Sequence, residues 1–278
     1  MTISVITVNR NNTVGLRATI ESVIAQTEPP FEFIIIDGAS TDGSAELLKE
    51  YASHITYSVS ELDKGIYNAM NKGVAASHGD YCLFLNSGDA FCSKEVLAQM
   101  QDSGAKADII CGNAIILEEP RRKKTAPEAV TLRFLYGTAL CHQAVFIRTE
   151  LLRKYPYDES LKIVADRKFF LQSLVLDSCS YEAVPVDVCN YDVTGFSAKN
   201  RFASAQEWQR ALADLIPERI LTDYGREAEG ALYGTSDYER LFLEIGCRRW
   251  KKPVYRLVKS FLQFMALFVP SARFVRGI

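Results

Sequence analysis

Apolar and polar positions over the first ninety residues fall into short runs of two kinds. ISVITV (3–8) is continuously apolar and predicts a strand, which the polar NRNN (9–12) ends. Over 14–26, Leu16, Ile20, Val23 and Ile24 recur at helical spacing. FEFIII (31–36) is a second apolar strand, closed by DGASTDGS. In that loop Ser40, Thr41 or Asp42 would cap a helix carrying Leu47 and Leu48. HITYSVS (54–60) alternates as a third strand, GIYNAMNKGVAAS (65–77) is helical, and DYCLFLN (80–86) is a fourth strand. Strand alternating with helix predicts a parallel sheet with helices on its faces.

Beyond residue 92 the pattern is less regular. A helix leads into the strand ADIICGNAIIL (107–117), and EEPRRKKTAPEA (118–129) reads as a charged, proline-containing loop. ALCHQAVFIRTELL (139–152) predicts a strand running into a helix. ADRKFFLQSL (165–174) opens a helix, YEAVPVDVCNYDV (181–193) is a strand, and TGFSAKN (194–200) is a loop. From about 203 the pattern is mostly helical. The expected organisation is a catalytic domain over 1–202, with halves of about 1–92 and 93–202, and a helical C-terminal region over 203–278.

Composition adds little until charge is followed along the chain. The 278 residues carry a net charge of only −2, with 48% hydrophobic and 24% charged residues, as in ordinary soluble globular proteins. No acidic residue follows Glu244, whereas eight basic ones do. The seven cysteines form no CxxC pair, so buried thiols in a reducing compartment fit better than zinc or a disulfide framework. No signal peptide is evident at the N-terminus and no apolar window is long enough to span a bilayer, so the cytoplasm is the expected location. Nothing points to nucleic acid.

Chemistry concentrates at the predicted strand ends. In open parallel sheets, ligands bind outside the carboxyl ends of the strands. Here those ends carry Asn9 and Asn11, then Asp37, then Asp63, then Asn86 and Asp89. Any one of them reads as a turn residue or a cap; four on one rim predict a pocket. GxSxG, GxGxxG and GxxxxGK[ST] are all absent, and His54, His78 and His142 have no metal-ligand spacing. Carboxylates at strand ends suit hard cations such as Mg²⁺ or Mn²⁺, which in turn hold diphosphates.

The ordered set ISVITVNRNN, IIIDGASTDGS, DKGIYNAMNKGVAASHGDYCLFLNSGD, CHQAVF and VADRKFF resembles the family 2 glycosyltransferases, in the branch that builds bacterial exopolysaccharide, capsule and lipopolysaccharide. The match runs from residue 3 to about 200. It implies a GT-A fold, a Rossmann-like and mostly parallel sheet flanked by helices, with a helical C-terminal extension. It implies an inverting transfer from a nucleotide-sugar donor, UDP-sugar first, to a glycan or lipid-linked saccharide. By that resemblance Asn9, Asp37, Asp63, Asn71 and Asn86 bind the donor. Asp89 binds a Mg²⁺ or Mn²⁺ ion on the diphosphate, Asp166 is the general base, and His142 and Gln143 lie by the acceptor. The chain departs from the common pattern where Asn86, Gly88 and Gly38 stand in place of aspartates. One carboxylate with diphosphate oxygens and water can still hold Mg²⁺.

Without the resemblance Asp166 reads as a first-turn carboxylate favoured by the helix dipole. Tyr67 reads equally as a core aromatic or as a stacking surface. The tail CRRWKKPVYRLVKSFLQFMALFVPSARFVRGI (247–278) reads as a basic amphipathic helix lying on an anionic membrane, a peripheral contact with the inner face of the cytoplasmic membrane. The competing reading is a helix packed on the catalytic domain or in a dimer. Two other functions compete with transfer: an inactive domain that only binds nucleotide sugar or glycan, and a nucleotidyltransferase.

Overall fold

The computed structural model describes residues 1–191 and 200–224. The chain divides into two compact units, Met1–Leu215 and Ile216–Ile278. Of the second unit the described part is 216–224, with a short helix over 218–224. The loop TGFSAKN and the basic tail therefore lie almost wholly and wholly outside the described residues.

The first unit is built on one sheet whose strands run in the order Tyr57–Ser60, Glu32–Asp37, Ile3–Asn9, Tyr81–Phe84, Val145–Arg148, Ile109–Ile116, Tyr181–Tyr191 and Ala90–Phe91, with Arg122–Lys124 paired to Ile109–Ile116. Its first half is the predicted one: β1 (Ile3–Asn9), α1 (Thr13–Ile24), β2 (Glu32–Asp37), α2 (Ser44–Glu50), β3 (Tyr57–Ser60), α3 (Ile66–Ala76) and β4 (Tyr81–Phe84). β1 pairs parallel with both β2 and β4, and β2 pairs parallel with β3. Ile3 and Val5 face a core shared with Leu16, Ile20 and Val23 of α1. Ile6 points the other way, where it meets α3 at Gly73. Both faces of β1 are covered, which is why its sequence is continuously apolar. Burying Leu16, Ile20 and Val23 stabilises the docked α1 by about 1.5–3 kcal/mol per side chain.

The second half is mixed. β5 (Ala90–Phe91), α4 (Val96–Asp102), β6 (Ile109–Ile116), β7 (Arg122–Lys124), α5 (Leu132–Gly137), β8 (Val145–Arg148), α6 (Thr149–Lys154), α7 (Ala165–Phe170), β9 (Tyr181–Tyr191) and α8 (Arg201–Leu215) follow in order. β8 runs antiparallel between β4 and β6, while β6 and β9 are parallel. The charged stretch at 118–129, read as a loop, contributes β7, which pairs antiparallel with β6. α7 continues into a π turn over Leu171–Leu176.

The first compact unit runs to Leu215. The reason lies in α8. Trp208, Ala211 and Leu212 are buried, and Trp208 lies under the Arg167 guanidinium at 3.9 Å. Buried Glu207 accepts the backbone N–H groups of Lys162, Ile163 and Val164 at 2.7, 2.7 and 3.1 Å.

The topology places the site. From β1 the chain steps outward to β2 and β3, then returns through α3 to β4 on the other side of β1. The strand order reverses there and leaves a crevice at the carboxyl ends. The register aligns those ends, with Asn9 opposite Asp37 and Asp37 opposite Ser60. After β4 the chain keeps to the side of β1, since Ser87 donates to the Val8 carbonyl at 3.1 Å.

Candidate active site

The loop after β1 ties the rim together. Asn12 caps α1 by accepting from the Gly15 N–H at 3.1 Å and donates to the Ser87 carbonyl at 3.0 Å. Asn11 adopts φ 49°, a left-handed conformation that asparagine tolerates, and accepts from the Thr41 N–H at 2.9 Å. The NSGD turn is anchored by α1. The Thr19 hydroxyl donates to the Asp89 carbonyl at 2.7 Å and accepts from the Gly88 N–H at 3.0 Å. Gly88 has φ 105°, which a side chain would strain, and this turn therefore takes glycine where an aspartate was the familiar residue. Asp89 is 5% exposed.

Asp37 is fully buried. One oxygen accepts from Asn9 at 2.7 Å and the Ser40 hydroxyl at 2.6 Å; the other accepts from the Ser40 N–H at 2.9 Å and the Ser60 hydroxyl at 2.6 Å. Burial alone would push its pKa up, but those donors outweigh burial and hold the carboxyl below its ordinary value. Four donors fill the acceptor capacity of a carboxylate. In this arrangement Asp37 organises the rim beneath Asn9. The Asn9 Oδ1 atom, also buried, has no hydrogen-bond partner.

Asp63 has a side chain 6% exposed, lies 3.9 Å from Arg10 and accepts from the Gly65 N–H at 2.9 Å. It packs on Gly38, where a Cβ would stand 2.4 Å from the Asp63 Oδ2 atom. Residue 38 is thus glycine because Asp63 occupies the space. Asn71 is not brought to this group. Its amide donates to the Tyr157 carbonyl at 2.9 Å and to Glu159 at 3.0 Å, and it accepts the Tyr157 N–H at 3.0 Å. Asn71 thus pins that segment.

The second cluster joins both halves of the sheet. Asp166, in the first turn of α7, accepts from the Tyr67 hydroxyl at 3.0 Å through one oxygen. Its other oxygen meets His142 Nδ1 at 3.0 Å. The Nε2 atom of His142 lies 3.3 Å from the amide nitrogen of Asn86, whose buried Oδ1 has no partner. The side chains of His142 and Asp166 are 16% and 14% exposed. Burial alone would neutralise both, yet each holds the other charged: Asp166 lies below the ordinary carboxylate range and His142 above the ordinary histidine value. Gln143 is buried and accepts from the Cys141 thiol at 3.1 Å.

Among the described residues no group of three or more His, Cys, Asp or Glu collects to hold an ion unaided. A single buried carboxylate, Asp89, fits a divalent ion that takes most of its ligands from substrate phosphates and water. The motif order missed Thr19, Ser60 and Glu207. Each acts at long range on a backbone or carboxylate, and no local signal marks such partners.

A doubly covered sheet, polar residues along its carboxyl rim and a buried carboxylate facing that rim define a transferase of the GT-A fold. The model of glycosyl transferase family 2 matches residues 4–159, and the chain belongs to that family. An uncharacterized glycosyltransferase of Mycobacterium tuberculosis is 31% identical over 254 residues, covering 87% of this chain and 96% of the relative. A PGL/p-HBAD biosynthesis glycosyltransferase of Mycobacterium bovis is 27% identical over 199 residues, 69% and 77% of the two chains. Among solved structures, S. aureus TarS 1-349 in complex with UDP has a TM-score of 0.58 at 21% identity; the match covers 69% of this chain and 61% of TarS 1-349. The mannosyltransferase PcManGT of Pyrobaculum calidifontis, in complex with GDP-Man and Mn²⁺, has a TM-score of 0.57 at 17% identity, covering 77% and 64%.

No helix among the described residues is long and apolar enough to cross a membrane.

Proposed function

We propose that this chain is an inverting glycosyltransferase moving a sugar from a nucleotide-sugar donor, UDP-sugar first, to a saccharide or lipid-linked acceptor in bacterial surface polysaccharide synthesis. The observation that carries it is the ionised, nearly buried Asp166 held beside the β4 strand end. The UDP and GDP-Man bound to TarS and PcManGT support a nucleotide-sugar donor. The surface-polysaccharide assignment rests on the resemblance of the motifs.

Asn9, Asp63 and Asn86 line the donor side, with Asp37 beneath Asn9. The orphaned Oδ1 atoms of Asn9 and Asn86 are acceptors that a bound nucleotide sugar can satisfy. Asp89 would hold Mg²⁺ or Mn²⁺ against the diphosphate, and such an ion neutralises charge on a leaving phosphate. Asp166 takes the proton from the acceptor hydroxyl as its oxygen bonds to the anomeric carbon. The bond from that carbon to the diphosphate breaks, and its electron pair leaves with the nucleotide. His142 and Gln143 border the acceptor. A lipid-linked acceptor would be met at the cytoplasmic face of the membrane, where the basic tail supplies a peripheral contact.

The test is calorimetric titration of UDP, GDP and dTDP into wild type and Asp89→Ala, with and without Mn²⁺, followed by product analysis. Metal-dependent binding of one nucleotide, lost in the variant, with nucleoside diphosphate as product, is the expected result. Pyrophosphate would make the chain a nucleotidyltransferase, and binding without turnover would leave a nucleotide-sugar-binding domain.

A further inference from the structure

Two donors from distant parts of the chain end on Asp166. Tyr67 lies on α3, in the nucleotide half, and is 5% exposed. Its ring packs against Tyr157 at 5.4 Å, and Tyr157 packs on Phe84 at 5.5 Å and Phe169 at 5.6 Å. Asn71, one helical turn beyond Tyr67, pins the Tyr157 backbone at both its N–H and its carbonyl. The ring therefore has little room to turn, and its hydroxyl is directed at Asp166 Oδ1 at 3.0 Å. His142 precedes β8, in the acceptor half, and meets Oδ2 at 3.0 Å. Each oxygen keeps acceptor capacity after one fixed donor.

We infer that Tyr67 and His142 are positioning residues that clamp the two oxygens of Asp166 and fix the plane in which it receives the acceptor proton. The inference rests on the transferase reading. The proton of the acceptor hydroxyl passes to an Asp166 oxygen, and both clamp donors keep their own protons. A carboxylate free to rotate would spend part of its time misaligned, and alignment is a large part of general-base catalysis.

The clamp also sets when Asp166 is ionised. Burial raises its pKa, and the His142 and Tyr67 hydrogen bonds with the His142 charge more than offset that. Tyr157 and the neighbouring Arg167 are the other titratable groups facing it. Losing either clamp donor moves the carboxyl upward.

The variants Tyr67→Phe, which keeps the ring packing, and His142→Gln test this. The expected result is a kcat lowered about tenfold with donor KM unchanged, and an acid limb of kcat/KM moved to higher pH. An acid limb unmoved in both variants overturns the clamp, because a merely structural role would not touch it. A second measurement needs no turnover: NMR titration of His142, assigned by its loss in His142→Gln. It titrates above 6.5 in wild type and lower in Asp166→Asn; equal values in the two proteins overturn the pairing. A wild type that turns over no donor at any pH, yet shows that difference, sinks the transferase reading and with it the clamp's role in receiving the acceptor proton, while the His142–Asp166 pairing stands.

Discussion

Replacing Glu207 with alanine should substantially destabilise this protein. Its carboxylate is 6% exposed and is the acceptor for three successive backbone N–H groups in the turn that leads into α7. Hydrogen bonds to a charged group contribute about 1.5–3 kcal/mol each, and three of them share one carboxylate. They are not additive, because the turn relaxes and water reaches part of the gap. Leaving buried backbone donors unsatisfied costs about 1–3 kcal/mol each, and after relaxation a total loss of about 3 kcal/mol is expected. For a unit of this size the melting temperature falls by roughly 10 °C. Glu207→Gln keeps an acceptor oxygen and should lose about half as much. Urea denaturation of the two variants beside wild type measures it. A loss below about 1 kcal/mol for Glu207→Ala, or a glutamine variant as unstable as the alanine one, refutes the argument. Turnover should fall along with stability, because this turn sets where α7 presents Asp166.

Two further outcomes are expected. The His142–Asp166 pair makes stability depend on pH. His142, raised in the fold, contributes fully below its ordinary 6.5 and loses that contribution as pH rises through its folded value. Asp166, lowered in the fold, contributes above its ordinary 3.8 and loses it as pH falls through its folded value. The stability gap between wild type and His142→Gln, followed by urea denaturation, should therefore be widest near pH 5 and narrow toward pH 9; a gap constant with pH refutes the pairing. Thr19→Val removes all three hydroxyl contacts to the NSGD turn, to the Asn86 and Asp89 carbonyls and from the Gly88 N–H. It should cost about 1–2 kcal/mol and weaken metal-dependent nucleotide binding, measured by calorimetry.

The parallel half of the fold was legible because β1, β2 and β4 are buried on both faces and α1 and α3 on one. Those two conditions write different periods into a sequence. The other half was less legible. β5 has two residues and β7 three charged ones, so neither carries a periodic signal. That β8 runs antiparallel to β4 follows from the direction in which the chain returns, not from the residues of VFIR. In the sequence α8 reads as any amphipathic helix; only in the fold do Glu207 and Trp208 find partners about forty residues earlier.

Local pattern determined that polar residues stop the strands at Asn9, Asp37, Asp63 and Asn86, and that a carboxylate opens the helix at Asp166. Motif order added the family and the chemistry implied for those residues. Tertiary structure alone decided what each side chain is free to do. Asp37 lost its free acceptors because register set Asn9 and Ser60 on either side of it. Asn71 pins the Tyr157 backbone at both its N–H and its carbonyl. Tyr67, equally a core ring or a stacking surface in the sequence, became the donor to a carboxylate 99 positions away. Spacing along a chain reports which face a residue occupies. The partner waiting on that face depends on chain segments brought together only by folding.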